Sequence, residues 1–261
     1  MTDDRKAQLA AIRRPPPPFG RIELVERTEL SSRLLRLSFT GQCLRALKMD
    51  QPAASVRFVV PWPGSELELP DWNGNEFLLS DGSRPALRTF TPLRPDAERG
   101  RLELEIVRHP GGAVSGWAES AEPGAEAAIS GPGAGFVYPA EAERLLVLGD
   151  ETAIPAITQL VEMAPDDLAL DIHVETIRAD AALDLEVRQV DGIRWHVSAE
   201  GAHPGSSLAA VVEAIDDLPA GTDVWAAGEA SAMQRIRNHL FRTIGLDRTR
   251  ATVRGYWKPA R

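Results

Sequence analysis

A single cysteine, Cys43, stands among 261 residues, so a four-thiolate iron–sulfur cluster, a structural zinc site and an intramolecular disulfide all lack the sulfur ligands they need. Redox chemistry in this chain would have to come from a bound organic cofactor. Long apolar runs are missing too: stretches such as Leu145-Leu146-Val147-Leu148 fall far short of the ~20 residues a bilayer span requires, so no membrane span is expected. The five histidines (His109, His173, His196, His203 and His239) show no H-E-x-x-H spacing, and no G-x-S-x-G elbow occurs, which leaves metalloprotease and serine-hydrolase readings unsupported. Residues 1–10 carry acids and no apolar core, so no secretory signal is read there and a cytoplasmic location is expected.

A surplus of cations is also absent. The net charge of −9 argues against nucleic-acid binding, which neutralises phosphates with Lys and Arg. The balance is uneven, however: residues 242–261 hold six basic residues and one acid, a net +5 that leaves −14 for the first 241. Such a tail suits an anion, or forms a solvated basic face. Hydrophobic residues at 43% and charged residues at 26% match compact globular chains, and the length fits two domains.

The two halves have different rhythms. After the proline-rich lead-in at residues 13–18, alternation marks short strands around Ile22 and Leu24, then Leu35, Leu37 and Phe39, then Val56, Phe58 and Val60, then Leu102, Leu104 and Ile106. Gly and Pro punctuate the gaps, as expected of a barrel or sandwich. From Leu145 a continuous apolar strand leads into a helical pattern at residues 152–163. Further strands are expected at 168–174, 193–197, 223–227 and 251–256, with helices at 207–215 and 231–244. In the last helix Met233, Ile236, Leu240 and Ile244 share a face, and Ser231 with Gln234 reads as a capping box. Alternating strands and helices imply a parallel sheet covered on its faces. The expected organisation is therefore a β domain at 1–140 and an α/β domain at 141–261, with the change of composition near 139–143.

Four short constellations offer chemistry. Arg88-Thr89-Phe90-Thr91, on a strand, presents a cation and an aromatic ring on one side and two hydroxyls on the other. Gly112-Ala113-Val114-Ser115 opens a helical stretch after His109, where backbone amides can cradle an anion. Gly149-Asp150-Glu151-Thr152-Ala153-Ile154-Pro155-Ala156 stands at the carboxyl end of the first parallel strand, where α/β sheets bind ligands. Two acids beside a phosphate site are tolerable only if they point away or act as caps. Ala227-Gly228-Glu229 ends another parallel strand and would line the same crevice. Taken singly, each also reads as ordinary strand or turn.

In this order, and with the C-terminal Gly255-Tyr256-Trp257-Lys258, the pieces resemble the siderophore-interacting proteins, a branch of the ferredoxin reductase-like flavoproteins. Arg88–Phe90 with Thr91 is similar to the R-x-Y-T flavin motif, residues 109–118 to H-G-x-G-P-A-S-x-W-A, and residues 149–156 to G-D-E-T-A-L-P-A. The resemblance implies an N-terminal FAD-binding antiparallel β-barrel and a C-terminal NAD(P)H-binding α/β domain whose last segment returns to the flavin. The implied activity is reduction of a ferric siderophore with NADPH or NADH as donor, releasing ferrous iron.

By the same resemblance, Arg88 pairs with a flavin phosphate, Thr89 belongs to the same motif, Phe90 packs on the ring or ribityl chain, and Thr91 approaches N5. His109, Gly112, Ala113, Val114 and Ser115 form the pyrophosphate segment. Asp150, Thr152, Ala153, Gly228 and Glu229 line the nicotinamide site, with Thr91, Thr152 and Glu229 as the catalytic candidates, and Tyr256 or Trp257 shields the other flavin face. Arg57, Arg254 and Lys258 are the cations offered to the siderophore. Phe90 in place of Tyr keeps the stacking surface and loses a hydroxyl worth about 1 kcal/mol. Pro110 replaces a common glycine, and Gly131-Pro132-Gly133 lacks the basic residue found there in many relatives. Arg178, just after the second parallel strand, is the one candidate for a 2′-phosphate partner, and reads first as a surface arginine. Two other readings remain: a general NAD(P)H-dependent flavoprotein reductase with another acceptor, and a siderophore- or flavin-binding protein without turnover. The siderophore class and the oligomeric state are open.

Overall fold

The computed structural model describes residues 16–181 and 192–259. The acidic N-terminus at 1–10 and Arg13, Arg14 and Pro15 of the proline lead-in lie outside them. The chain divides into two compact units: one contains the segments up to Thr28, Leu35–Asp50 and Ala54–Ala134, the other Glu29–Leu34, Gln51–Ala53 and the chain from Gly135 on.

The first unit is built on a seven-stranded curled antiparallel sheet. Its strands are β1 (Gly20–Glu29), β2 (Leu34–Thr40), β3 (Val56–Val60), β6 (Ala86–Phe90), β7 (Leu93–Asp96), β8 (Arg101–Val107) and β9 (Glu126–Ser130), in the order β6-β3-β9-β1-β2-β8-β7. A small hairpin, β4 (Asp71–Trp72) with β5 (Phe77–Leu78), stands apart. The expected alternation holds, because Ile22, Leu24, Leu37, Phe39, Phe58, Leu104 and their alternating neighbours all enter one core. Helix α1 (Ala113–Ser120) lays Trp117 over that core, stacked on Phe39 at 6.4 Å and edge-on to Phe58 at 5.8 Å.

The sheet is open, a half-barrel with β6 and β7 at its edges, rather than a closed barrel. Pro95 supplies a physical reason at the β7 edge: proline has no N–H for a further ladder, and the register of β7 shifts around it.

The second unit holds five strands, β10 (Arg144–Asp150), β11 (Ala169–Thr176), β12 (Arg194–Val197), β13 (Thr222–Glu229) and β14 (Ala251–Trp257). They are all parallel, in the order β12-β11-β10-β13-β14. Helices α2 (Ile154–Glu162), α3 (Ser206–Glu213) and α4 (Ala230–Asn238) connect them. One face of the sheet (Leu146, Leu148, Val224, Ala226, Val253) packs on α3 and α4 through Leu208, Val212, Met233 and Ile236, and on Leu240 of the π-helical turn His239–Ile244 that continues α4. The strand order reverses between β10 and β13, so their carboxyl ends form the switch point where α/β sheets open a ligand crevice.

The expected Ser231–Gln234 capping box does not form. Glu229 is the N-cap of α4, its Oε2 accepting from the amides of Ser231 (2.7 Å) and Ala232 (2.9 Å). Ser231 already sits inside the first turn and donates its hydroxyl to the same oxygen at 2.5 Å, while the Gln234 amide turns to Asn238. Among the described residues no helix is long and apolar enough to cross a membrane.

Candidate functional site: a helix N-terminus and a sheet switch point

In the first unit, β6 pairs antiparallel with β3 so that Arg88 lies opposite Phe58 and Thr89 opposite Arg57. Alternation therefore puts Arg88 and Phe90 on the core side with α1, where Phe90 meets Phe58 edge-on at 5.8 Å. Arg88 itself is exposed, and among the described residues its side chain bonds only to the neighbouring Leu87 carbonyl, at 2.7 Å. The strand ends at Phe90, and Thr91 follows it, buried.

Helix α1 begins at Gly112 with no side-chain cap, and its first intrahelical bond is Gly116 N–H to the Gly112 carbonyl at 2.8 Å. The amides of Ala113, Val114 and Ser115 consequently take no partner among the described residues, the arrangement that suits an anion. The preceding loop is held in place from within. Buried Ser115 accepts from the His109 amide at 3.0 Å, and a Cβ added to Gly112 would sit 2.1 Å from the His109 ring. Ser115 thus shapes the loop through its hydroxyl, while its amide stays at the open helix start. Val114 spends its side chain in the core.

The second unit's crevice is organised by Asp150. Its Oδ1 accepts from the Thr152 amide (2.9 Å) and hydroxyl (2.5 Å), and its Oδ2 from the Glu229 amide (2.8 Å) and the Trp257 indole (2.7 Å). Burial pushes this carboxyl above the usual aspartate range, while bonds from Thr152, Trp257 and Glu229 pull the other way. One carboxylate therefore ties together the ends of β10, β13 and β14. A Cβ on Gly228 would meet Asp150 Oδ2 at 2.6 Å, so only glycine lets β13 pass this close. Glu151 points away: its Oε2 takes Arg33 Nε and Nη2 at 3.1 and 3.0 Å, and its Oε1 takes the Ile177 amide at 2.9 Å. Both acids that looked awkward beside a phosphate are thus engaged in caps and ion pairs.

The remaining expected residues fall as follows. Ala153 is buried at the turn before α2. Glu229 is buried as the α4 cap. Although burial would raise its carboxyl, the Ser231 and Ala232 bonds hold it below the usual glutamate range. The β13–β14 register shifts so that Gly228 pairs with Gly255 and Glu229 with Trp257, leaving Tyr256 as the extra residue. Tyr256 is partly exposed and edge-on to Trp225 at 6.5 Å, whereas the Trp257 indole N–H is committed to Asp150.

The three cations expected at a siderophore do not form a cluster that the geometry of either unit displays. Arg57 is on the sheet face opposite Arg88, with its guanidinium 5.4 Å from the Phe77 ring. Arg254 lines a recess of about 240 Å³ with Phe136, Arg250 and Thr252. Lys258 is exposed just beyond β14. Sequence reasoning missed three residues of this half: Trp257 as a donor to Asp150, Arg33 as the partner of Glu151, and Glu175, which caps α3.

A curled antiparallel sheet followed by a parallel α/β sheet is the ferredoxin reductase-like fold. Solved structures at 14–20% identity, with TM-scores of 0.60–0.64, share this fold. Residues 23–136 match the siderophore-interacting FAD-binding domain and residues 142–260 the siderophore-interacting protein model. The chain belongs to the siderophore-interacting protein family, with FAD as the cofactor of its first domain.

A siderophore utilization protein from T. fusca superposes with a TM-score of 0.82 at 31% identity, covering 95% of this chain and 96% of that one. The ferric vibriobactin reductase ViuB of Vibrio cholerae is 25% identical over 91% of this chain and 88% of its own. The NADPH-dependent ferric-chelate reductase of Escherichia coli is 25% identical over 92% of each. The mycobactin import ATP-binding/permease protein IrtA of Mycolicibacterium thermoresistibile is 27% identical over 91% of this chain, which spans only 25% of IrtA.

Proposed function

We propose that this chain is an oxidoreductase that takes electrons from a reduced nicotinamide dinucleotide and delivers them to the ferric ion of a siderophore, releasing ferrous iron. The observation that carries the reading is the uncapped start of α1, a helix that packs against β6, the strand of Arg88. Three amides without partners among the described residues, together with a guanidinium, fit a pyrophosphate, and the matched domain names the dinucleotide as FAD. When bound, FAD supplies the exchange between a two-electron hydride donor and single-electron reduction of iron.

The chain's residues then bind and orient. Arg88 and the amides of Ala113, Val114 and Ser115 hold the pyrophosphate. Phe90, braced by Phe58, would offer the flavin an apolar face that needs no hydroxyl, and buried Thr91 would close the strand end there. In the second unit Thr152 donates its hydroxyl proton to Asp150, which leaves its oxygen as an acceptor, the role a carboxamide N–H would need. Glu229 acts by holding the start of α4 and not as a proton carrier. Lys258, Arg57 and Arg254 supply positive charge for an anionic siderophore. The names of ViuB and the E. coli reductase support the substrate and donor classes.

The test is anaerobic turnover of a ferric siderophore with NADPH or NADH and a ferrous-specific chelator. The reading predicts about two ferrous ions per dinucleotide oxidised, the ratio of a two-electron donor to a one-electron acceptor. Dinucleotide oxidation without ferrous iron would favour a reductase serving another acceptor.

A further inference from the structure

An acid at the end of the second strand of a dinucleotide-binding sheet, about 20 residues after the first βα turn, selects NADH by accepting from the ribose 2′-hydroxyl. In this chain that place falls to Glu175, 25 residues after Asp150 at the end of β11. Glu175 is closed to a ribose. It is 3% exposed, and its Oε1 accepts from the Gly205 amide at 2.5 Å while Oε2 accepts from the amides of Ser207 (2.7 Å) and Leu208 (3.3 Å). Both oxygens are spent on the N-terminus of α3.

What the strand end presents instead is cationic and apolar. The Ile177 amide is pinned by Glu151, itself clamped by Arg33, so the chain leaving β11 is fixed to the end of β10. Arg178 follows, its side chain 63% exposed. Its only partner among the described residues is Asp180, at a loose 3.4 Å, and Asp180 also takes the Ser32 amide at 3.2 Å. Across the strand end, Thr176 pairs with Val197, which stands 51% exposed at the end of β12, whereas Ile177, 50% exposed, follows Thr176 and turns to the other face. An exposed aliphatic side chain on the neighbouring strand end offers apolar surface to a purine that carries a phosphate.

We infer that Arg178 binds the 2′-phosphate of the donor dinucleotide, with the adenine over Val197, so that this chain selects NADPH over NADH. The inference deepens the proposed function, and its test needs no turnover. Calorimetric titration compares 2′,5′-ADP with 5′-AMP, which differ only by the 2′-phosphate. The wild-type holoprotein should bind 2′,5′-ADP at least tenfold tighter, Arg178→Ala should bring the two within about threefold, and Arg178→Lys should restore part of the gap. Equal affinities in the wild type, or a gap that survives Arg178→Ala, overturns it. So does a selective loss of 5′-AMP binding in Asp180→Ala, which would make Asp180 the ribose acceptor. In steady state, Arg178→Ala should lower kcat/KM for NADPH about 30-fold through KM, as expected for a lost charge-assisted contact, and for NADH less than threefold. A chain that discriminates the fragments but reduces its flavin with neither donor would refute the proposed function and leave this inference standing.

Discussion

Asp150 shows how a buried charge can be kept without a cation beside it: four hydrogen-bond donors surround it. Asparagine has the same shape but turns an NH₂ toward two of those donors. Asp150→Asn is therefore expected to cost about 2 kcal/mol in urea denaturation and to shift the emission of Trp257. A change below about 0.5 kcal/mol would mean that the bonds are not held in solution. Because its carboxyl is raised by burial, the charged Asp150 favours the folded state least above its folded pKa; this part of the stability falls as pH rises through the shifted range. Glu229 has the opposite sign. Its carboxyl is lowered in the folded chain, so its stabilisation is full above the ordinary value of 4.5 and is lost as pH falls through the folded pKa. Glu229→Gln keeps an acceptor for the cap and cannot titrate, so its stability should drop less than the wild type's between pH 6 and pH 3.5, roughly the span over which a glutamate titrates. Parallel acid limbs in the two proteins would contradict that role.

Part of this was readable in the residues themselves. Asp two positions before Thr is the pattern of a side chain turning back on its own backbone, and the requirement that acids near a phosphate must cap or point away is met by both Asp150 and Glu151. The Trp257–Asp150 bond spans 107 positions and has no local signature. Ser231 drew attention as a cap because its residue type is favoured there, and Glu229 took the place because strand β13 ends on it.

At the level of elements, strands with one buried face were legible and the others were not. β1, β2 and β8 alternate because the other side faces solvent or polar neighbours, while β3 also buries Val59 on its second face against Leu67 and Ala128. β9 escaped notice because Ala127, Ala128, Ile129 and Ser130 are all buried, which erases the period. The two-residue strands β4 and β5 are too short to show one. In the α/β half, β10 and β13 were recognisable as unbroken apolar runs and α4 by the spacing of Met233, Ile236 and Leu240.

The contact between α3 and α4 depends on Gly205. Its φ is +78°, and an added Cβ would lie 2.3 Å from the Ala232 Cβ. Gly205→Ala combines left-handed backbone strain with overpacking against a helix, and should cost about 3 kcal/mol by thermal or urea unfolding. A loss under about 1 kcal/mol would show that α3 and α4 can separate freely.

At the scale of the molecule, each unit has its own hydrophobic core, and each carries one half of the proposed chemistry. The family's order of motifs made both halves visible in the sequence. The cations proposed for the siderophore are not, since Arg57, Arg254 and Lys258 follow only from the resemblance, and charge on a surface leaves no periodic trace. The claim on which the rest depends is that the chain holds FAD and passes electrons from a nicotinamide dinucleotide to chelated iron. A visible spectrum followed through one anaerobic cycle tests it most directly. The purified protein should be yellow, bleach on addition of NADPH, and regain its colour when a ferric siderophore is added. A folded, colourless protein that takes up no FAD, or a bleached flavin that the ferric siderophore leaves bleached, would contradict it.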